Sequence, residues 1–130
     1  MARKAVKKKP AKRAGAKTSI RVKRAYESPN KDDGLRILID RLWPRGLSKT
    51  TLKLDVWVKH LAPSNALRQW YGHDPEKFAE FRRRYLAELK PQGEALDELR
   101  DTVKGRAITL LTATKELELS HATVLRELLA

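Results

Sequence analysis

The chain has 130 residues, which is long enough for one domain and too short for two. Hydrophobic residues make up 41% of it and charged residues 35%, and no stretch reaches the roughly 18 to 20 apolar residues of a membrane-spanning helix. The basic N-terminus lacks the apolar segment of a signal peptide, and cysteine is absent, which excludes disulfides, thiolate catalysis and cysteine-ligated zinc. We therefore expect a cytoplasmic protein without a membrane segment.

The positive charge is concentrated at the N-terminus. The formal net charge is +13, and residues 1–19 hold eight basic and no acidic residues, so the remaining 21 basic and 16 acidic residues give a net charge of +5. The segment contains too few large apolar side chains to offset the entropy of ordering, and we predict that it is disordered. Two interpretations stay open: a tail that binds nucleic acid through the phosphates, and a solubilising tail with no specific partner.

The first predicted elements are two strands. Residues 20–24 alternate apolar and basic side chains, which is typical of a strand near the edge of a sheet. Turn-forming residues are frequent in 28–34. Residues 35–39 form a short apolar run, and this run predicts a central strand that is buried on both faces.

Helix signals dominate the middle of the chain. Residues 51–61 fit both strand and helix periodicity, and we expect an extended start followed by a short helix around Trp57. Ser64 is a suitable N-cap for a short helix through Trp70. Asp74, an N-cap followed by a proline, predicts the start of the longest helix, whose apolar residues recur every three or four positions.

The last part of the chain continues the alternation of helices and strands. Residues 95–103 predict a further helix, residues 107–112 another nearly all-apolar strand, and Ser120 the cap of a terminal helix. Doubly buried strands with helices between them are typical of a largely parallel sheet that helices cover on both faces. We therefore predict one α/β domain over residues 20–130.

Three segments of the chain resemble a known bacterial family: RILIDRLWPRGLS at 36–48, LAPSNALRQWYGHDPEKFAEFRRRYLAEL at 61–89 and HATVLRELL at 121–129. They are similar to the YeaO-like branch of the family named domain of unknown function 488, and the resemblance covers residues 20–130. It implies a compact three-layer α/β fold of Rossmann-like character, and it implies no settled activity. The polar and aromatic positions that recur in the family would here be Asp40, Arg41, Trp43, Arg45, Ser64, Arg68, Trp70, His73 and Asp74.

The residues after the central strand form the first candidate site. Ligands of open α/β sheets bind beyond the carboxyl ends of the strands, and this position holds Asp40, Arg41, Trp43 and Arg45. In one interpretation Asp40 is a hydrogen-bond acceptor or general base, the two arginines clamp an anion, and Trp43 stacks on a base. In the other, an internal Asp–Arg pair braces the turn and Trp43 belongs to the core. The residues expected to approach from neighbouring loops are Arg68, His73 and Lys115.

The adjacent residues His73 and Asp74 are a second candidate, because histidine titrates near neutral pH and the two side chains could form an acid–base pair. The capping role of Asp74 explains this residue without catalysis. His60 and His121 have no partner visible in the sequence. The histidines lack metal-ligand spacing and no glycine-rich phosphate loop occurs, so we predict neither a metal nor a cofactor. The arginine run 82–84 predicts a solvated helix face.

These features support three functional hypotheses. The first is a small domain that binds an anionic ligand, a nucleotide or nucleic acid, in a basic pocket beyond the central strand, with residues 1–19 adding affinity for nucleic acid. The second is a hydrolase that acts on a nucleotide-like substrate through Asp40 or through His73 and Asp74. The third is a protein-interaction domain without catalysis, in which the same arginines form internal pairs. The sequence carries no signal for the oligomeric state.

Overall fold

The computed structural model of the protein describes residues 19–130. The basic tail lies outside the described residues apart from Ser19, so its disorder and its nucleic-acid contact stay predictions. The strands are β1 (Ser19–Arg24), β2 (Leu35–Leu38), β3 (Val56–Trp57) and β4 (Ala107–Thr112). The α-helices are α1 (Lys49–Leu52), α2 (Asn65–Tyr71), α3 (Phe78–Leu89), α4 (Gly93–Val103) and α5 (His121–Leu129). Short 3₁₀ helices lie at Lys31–Asp33, Lys59–Leu61, Pro75–Lys77 and Lys90–Gln92.

The four described strands form one parallel sheet with the order β1-β4-β2-β3. β1 lies at an edge and β2 is interior, as their side-chain patterns predict. β4 lies between them and is buried from its second residue onward. The crossover connections of a parallel sheet place helices on its faces, so both faces of such a sheet are usually covered. The sheet with its helices confirms the predicted three-layer, Rossmann-like α/β fold.

Two hydrophobic clusters separate the three layers. On one face of the sheet, Ile37 and Leu110 pack against apolar side chains of α2, α3, α4 and α5. On the other face, Leu38 and Leu111 pack against Leu52 of α1 and against the loop after β2. Neighbouring residues of a strand thus contribute to opposite clusters, as the two-residue period of a strand requires. Within the described part of the chain, the helices are too short or too polar to cross a membrane.

Side-chain caps begin the helices where the sequence predicts them. Ser64, Asp74 and Ser120 each accept a hydrogen bond from a backbone N–H in the turn that follows. Ser48 does the same for α1. Each cap satisfies one of the N–H groups that the first turn of a helix leaves unpaired. The caps therefore determine where α2 and α5 begin.

The prediction for residues 51–61 is wrong in the order of its elements. The helix comes first and ends at Leu52, the chain turns at Lys53 in the left-handed conformation (φ 50°), and Trp57 lies in a strand. This strand, β3, has two residues, and both pair in parallel with β2. The local periodicity fits strand and helix equally well, so the hydrogen bonds to β2 decide the conformation.

A buried ion cluster joins β1, β2 and α1. Asp33 accepts a hydrogen bond from Lys23 Nζ at 3.0 Å and forms an ion pair with Arg36, and all three side chains are largely buried. Arg36 also donates from Nη2 to the carbonyl oxygen of Leu52 at 2.8 Å. Because each charge has a partner, the cluster ties the two strands to the helix without leaving a buried charge uncompensated.

Candidate functional site

A cavity of about 420 Å³ lies where β2 and β4 end. Neighbouring parallel strands bring their carboxyl ends to one edge of a sheet, and the segments after both strands contribute to the wall. The lining residues are 40–45, 62–63, 112–114 and 120–121, together with Tyr26, Arg68, Tyr71, His73 and Phe81. The volume falls within the range of about 300–1,000 Å³ that is typical of small-molecule sites.

Three donors hold Asp40, which comes shortly after β2. Its Oδ1 accepts hydrogen bonds from Thr112 Oγ1 at 2.7 Å and His121 Nε2 at 3.0 Å, and its Oδ2 accepts one from the Ala113 N–H at 2.8 Å. Burial raises the pKa of Asp40, but the hydrogen bond and charge interaction with His121, with the bonds from Ala113 and Thr112, outweigh burial and lower the pKa. The carboxylate is therefore ionised at neutral pH, and both of its oxygens are occupied.

His121 is the site residue that sequence reasoning missed. It is the first residue of α5, which begins at the edge where β4 ends. Its bond to Asp40 joins two positions 81 residues apart, so spacing along the chain gives no signal for the pair. The available signal lies in the topology, because neighbouring parallel strands bring the residue after β2 close to the segment after β4.

Three arginines line the cavity, and they differ in how they are held. Arg41 Nη2 donates to the carbonyl oxygens of residues 62–63 at 3.2 and 3.4 Å, while its buried Nε has no partner among the described residues. The acid beside it, Asp40, pairs with a histidine rather than with Arg41. Arg45 and Arg68 are exposed, and their side chains form no hydrogen bond or ion pair with the described residues.

Two tryptophans support the loop that carries Asp40. Trp57 Nε1 donates to the Asp40 carbonyl oxygen at 2.7 Å, and Trp43 Nε1 donates to a carbonyl oxygen four residues further along the chain at 2.6 Å. Their rings meet edge to face with centroids 5.6 Å apart. Trp43 also lines the cavity, whereas Trp70 lies outside the wall with the Arg84 guanidinium 4.1 Å from its ring centroid.

The other predicted site residues divide between the cavity and the surface. His73 lines the cavity, and its backbone is left-handed, with φ 59°. Asp74 is not in the wall, because its side chain accepts a hydrogen bond from the Glu76 N–H and caps the turn that leads into α3. No hydrogen bond joins it to His73 within the described part of the chain. Lys115 is exposed and also outside the wall, which on this segment ends at Thr114.

Sequence reasoning also missed several hydroxyl groups of the wall. Tyr26 Oη donates to the Arg45 carbonyl oxygen at 3.0 Å, and Tyr71 Oη donates to the Leu119 carbonyl oxygen at 2.6 Å. The Thr114 hydroxyl is buried and has no partner among residues 19–130. The sequence around these residues has the patterns of a turn, a helix and a loop. Such patterns predict secondary structure and give no indication of a ligand.

The remaining charged groups singled out in the sequence lie away from the cavity. The arginine run 82–84 forms exposed ion pairs with Glu80 and Glu127, as expected of a solvated helix face. In the region that the structure describes, no group of three or more histidine, aspartate or glutamate side chains could hold a metal ion. The absence of a metal and of a cofactor stays a prediction.

Residues 19–130 match a family model described as the inactive DUF488-N3 subclade. The uncharacterized protein Rv3073c of Mycobacterium tuberculosis is 46% identical over 112 residues, which is 86% of this chain and 94% of the relative. The uncharacterized protein YeaO of Escherichia coli is 42% identical over 109 residues, 84% of this chain and 95% of the relative. No solved structure matches the chain. The protein thus belongs to the family called domain of unknown function 488, as a YeaO-like member of its inactive DUF488-N3 subclade.

Proposed function

We propose that the domain binds a small anionic ligand in the cavity between the ends of β2 and β4, without transforming it. The observation that carries this proposal is the imbalance of charge in the wall. Arg41, Arg45 and Arg68 line the cavity, and Asp40 is the one acidic residue among the lining residues that the structure describes. The carboxylate of Asp40 is already engaged by His121. The arginines therefore leave a positive charge for a ligand to neutralise.

The state of the arginines supports the same conclusion. Arg45 and Arg68 are exposed and make no pair with the described residues, so a ligand would not have to displace an internal partner. A guanidinium group offers a planar set of donors that matches a phosphate or carboxylate. A protein-interaction domain that used the same arginines internally would need Arg45 to be paired, which weighs against the third hypothesis.

Two observations favour binding over catalysis. The matching family model is described as an inactive subclade, and we expect a member of that subclade to lack catalytic activity. In addition, Asp40 already accepts three hydrogen bonds, and because these bonds lower its pKa despite burial, the carboxylate is a weak base toward a ligand. Asp74 does not orient His73 as the partner of an acid–base pair either, because its side chain caps the turn that leads into α3.

The proposal is tested by calorimetric titration of the full chain with ribose 5-phosphate at low ionic strength. A hydrogen bond to a charged group contributes about 1.5–3 kcal/mol, so Arg45→Ala and Arg68→Ala should each weaken binding about 10- to 150-fold. Arg126→Ala is the matched control, because this arginine is exposed on α5 and lies outside the wall. The control removes the same charge and should change the affinity less than twofold. Equal losses in all three variants would refute a specific site.

Residues 1–19 form a separate part of the proposal, as a non-specific contact for nucleic acid. Ser19 begins β1, and it pairs with Ala107 at the start of β4, whereas the cavity lies where β4 ends. At about 3.3 Å per residue, the six residues of β1 separate these two edges by about 17 Å. The tail thus joins the domain at the edge opposite the cavity, and we expect the two binding functions to be independent.

A hydrolase is the second candidate, favoured by the bond between Asp40 and His121. Nε2 must donate to the carboxylate, and Nδ1 forms no hydrogen bond within residues 19–130, so a carboxylate-oriented imidazole lines the cavity. Such an imidazole can take a proton from a water that attacks a phosphate ester. Hydrolysis of bis(p-nitrophenyl) phosphate that depends on pH and disappears in His121→Asn would support this candidate. If the wild-type chain shows no more activity than His121→Asn, the hydrolase candidate fails and ligand binding remains the proposed function.

A further inference from the structure

We infer that the ligand is a mononucleotide whose base packs against the Tyr26 ring, while its phosphate contacts Arg45 and Arg68. The inference rests on the proposed function, since it assumes that the cavity binds an anion, and it adds the chemical class of that anion. It also distinguishes a single nucleotide from the sugar phosphates and inorganic anions that arginines alone would accept.

Exposed apolar side chains are the first observation. Tyr26 is 43% exposed and Leu42 is 67% exposed, and they are the two large hydrophobic side chains that stand out as exposed within residues 19–130. Both of them line the cavity. Single exposed hydrophobic residues are common on protein surfaces, but here both belong to the wall of one basic cavity, which therefore offers apolar as well as cationic groups. A ligand that matches this wall has an apolar part and an anionic part.

The way Tyr26 is held is the second observation. Its hydroxyl donates to the carbonyl oxygen of Arg45 at 3.0 Å, which fixes the ring beside an arginine of the cavity. The Arg24 guanidinium lies over the ring at 5.3 Å from the centroid and donates to the Ala113 carbonyl oxygen at 3.4 Å. Because Arg24 covers one face of the ring, a planar group that stacks on Tyr26 would lie on the opposite face. A fixed ring loses little conformational freedom on binding, which favours its use as a stacking surface.

The size of the cavity favours a single nucleotide over a duplex. About 420 Å³ accommodates one ligand of small-molecule size. The bases of a duplex are stacked on one another, so a duplex could place a base on Tyr26 only after that base had left the stack. Duplex DNA is therefore expected to contact other parts of the protein, and AMP is a suitable probe for this cavity.

The test compares AMP with ribose 5-phosphate, which lacks the base, by calorimetric titration of the full chain. Base stacking on an aromatic side chain contributes an amount that corresponds to about 5- to 150-fold in affinity, and AMP should bind more tightly than ribose 5-phosphate by a factor in that range. Tyr26→Leu should reduce this preference for AMP over ribose 5-phosphate to less than about twofold, and the ratio of the two affinities is the readout, because the variant also loses the bond to Arg45. Tyr26→Phe keeps the ring, loses only the bond to Arg45, and should retain most of the preference.

The possible outcomes distinguish a failure of the nucleotide inference from a failure of the proposed anion site. If the wild-type chain binds AMP and ribose 5-phosphate equally well, the nucleotide is refuted while the anion site stands. If AMP is preferred but Tyr26→Leu leaves the preference intact, the base does not lie on Tyr26 and the inference fails. If neither probe binds, or if Arg45→Ala and Arg68→Ala leave binding unchanged, the proposed function itself fails. The comparison of the two probes on the wild-type chain needs no variant, so a folding defect in Tyr26→Leu cannot obscure it.

Discussion

Replacing Asp40 with alanine tests whether this carboxylate holds the cavity together. The change leaves three donors without an acceptor: the Thr112 hydroxyl, the Ala113 N–H and the His121 ring. The hydroxyl can rotate and the ring can change tautomer, but the backbone N–H is fixed. Leaving a buried donor unsatisfied costs about 1–3 kcal/mol, and here three donors lose one charged acceptor whose side chain is only 17% exposed. We expect the free energy of unfolding to fall by about 3 kcal/mol.

Asp40→Asn is the graded variant. Its amide oxygen can still accept the hydrogen bond from the Ala113 N–H. Its NH₂ group can donate to the Thr112 hydroxyl and to the His121 ring, since both of these can act as acceptors. We therefore expect a smaller loss of about 1–2 kcal/mol. Urea unfolding of the full chain at pH 7 measures both variants, and the alanine variant should also melt about 12 °C lower. Asp101→Asn, an exposed position on α4, is the matched control and should stay within about 0.5 kcal/mol of the wild type. A loss below about 1 kcal/mol for Asp40→Ala would refute the reasoning.

The pH dependence of this loss has a defined sign. The pKa of Asp40 is lowered on folding from its ordinary value of 3.8, so the ionised carboxylate stabilises the folded state above that pH. The stabilisation is lost as the pH falls through the folded pKa, which lies below it. The difference between the wild type and Asp40→Asn should thus be fully present above about pH 5 and narrow below about pH 4. A difference that stays constant down to pH 2 would show that the charge of Asp40 contributes nothing.

Two further predictions concern the backbone and the tail. Gly34 has φ +66°, and a Cβ there would lie 2.0 Å from the Ala107 carbonyl oxygen, so Gly34→Ala should cost at least about 2 kcal/mol in urea unfolding. Gly46→Ala is the control, because its Cβ meets open space at a similarly positive φ, and an equal cost at both glycines would contradict the argument from contact. Replacing four tail lysines by glutamine should reduce the slope of log affinity for duplex DNA against log salt by about 3.6. The lysines are Lys4, Lys7, Lys8 and Lys9, and the charge-matched control replaces the exposed lysines Lys31, Lys49, Lys90 and Lys104. The same slope for both quadruple variants would show that the tail makes no special contribution.

Local signals explain why most of the fold is predictable from the sequence. The caps Ser64, Asp74 and Ser120 are polar groups that satisfy backbone N–H groups within two or three residues, so they mark helix starts without knowledge of the rest of the chain. The apolar runs of β2 and β4 likewise report burial on both faces. β3 escapes prediction because its two residues become a strand only by pairing with β2, a partner remote in sequence.

The same distinction applies to the candidate site. Asp40, Arg41, Trp43 and Arg45 are recognisable because they follow a buried strand directly, and the edge of a parallel sheet is a place where ligands bind. The acid–histidine pair is hidden, because His121 joins Asp40 only through the packing of β4 beside β2. Hydrogen-bond partners separated by most of the chain require the strand order, and a single sequence does not contain it.

β4 is synthesised late, although both β1 and β2 depend on it for their hydrogen bonds. Among the described strands, β1 pairs with β4 alone, and β2 meets β1 only through β4. The N-terminal strands of a nascent chain therefore expose unpaired edges until Thr112 has left the ribosome, and such edges are prone to aggregate. Residues 112–121 also supply the three donors to Asp40. The sheet and the cavity are consequently completed in the same late step of synthesis, and a chain interrupted before residue 107 would have neither.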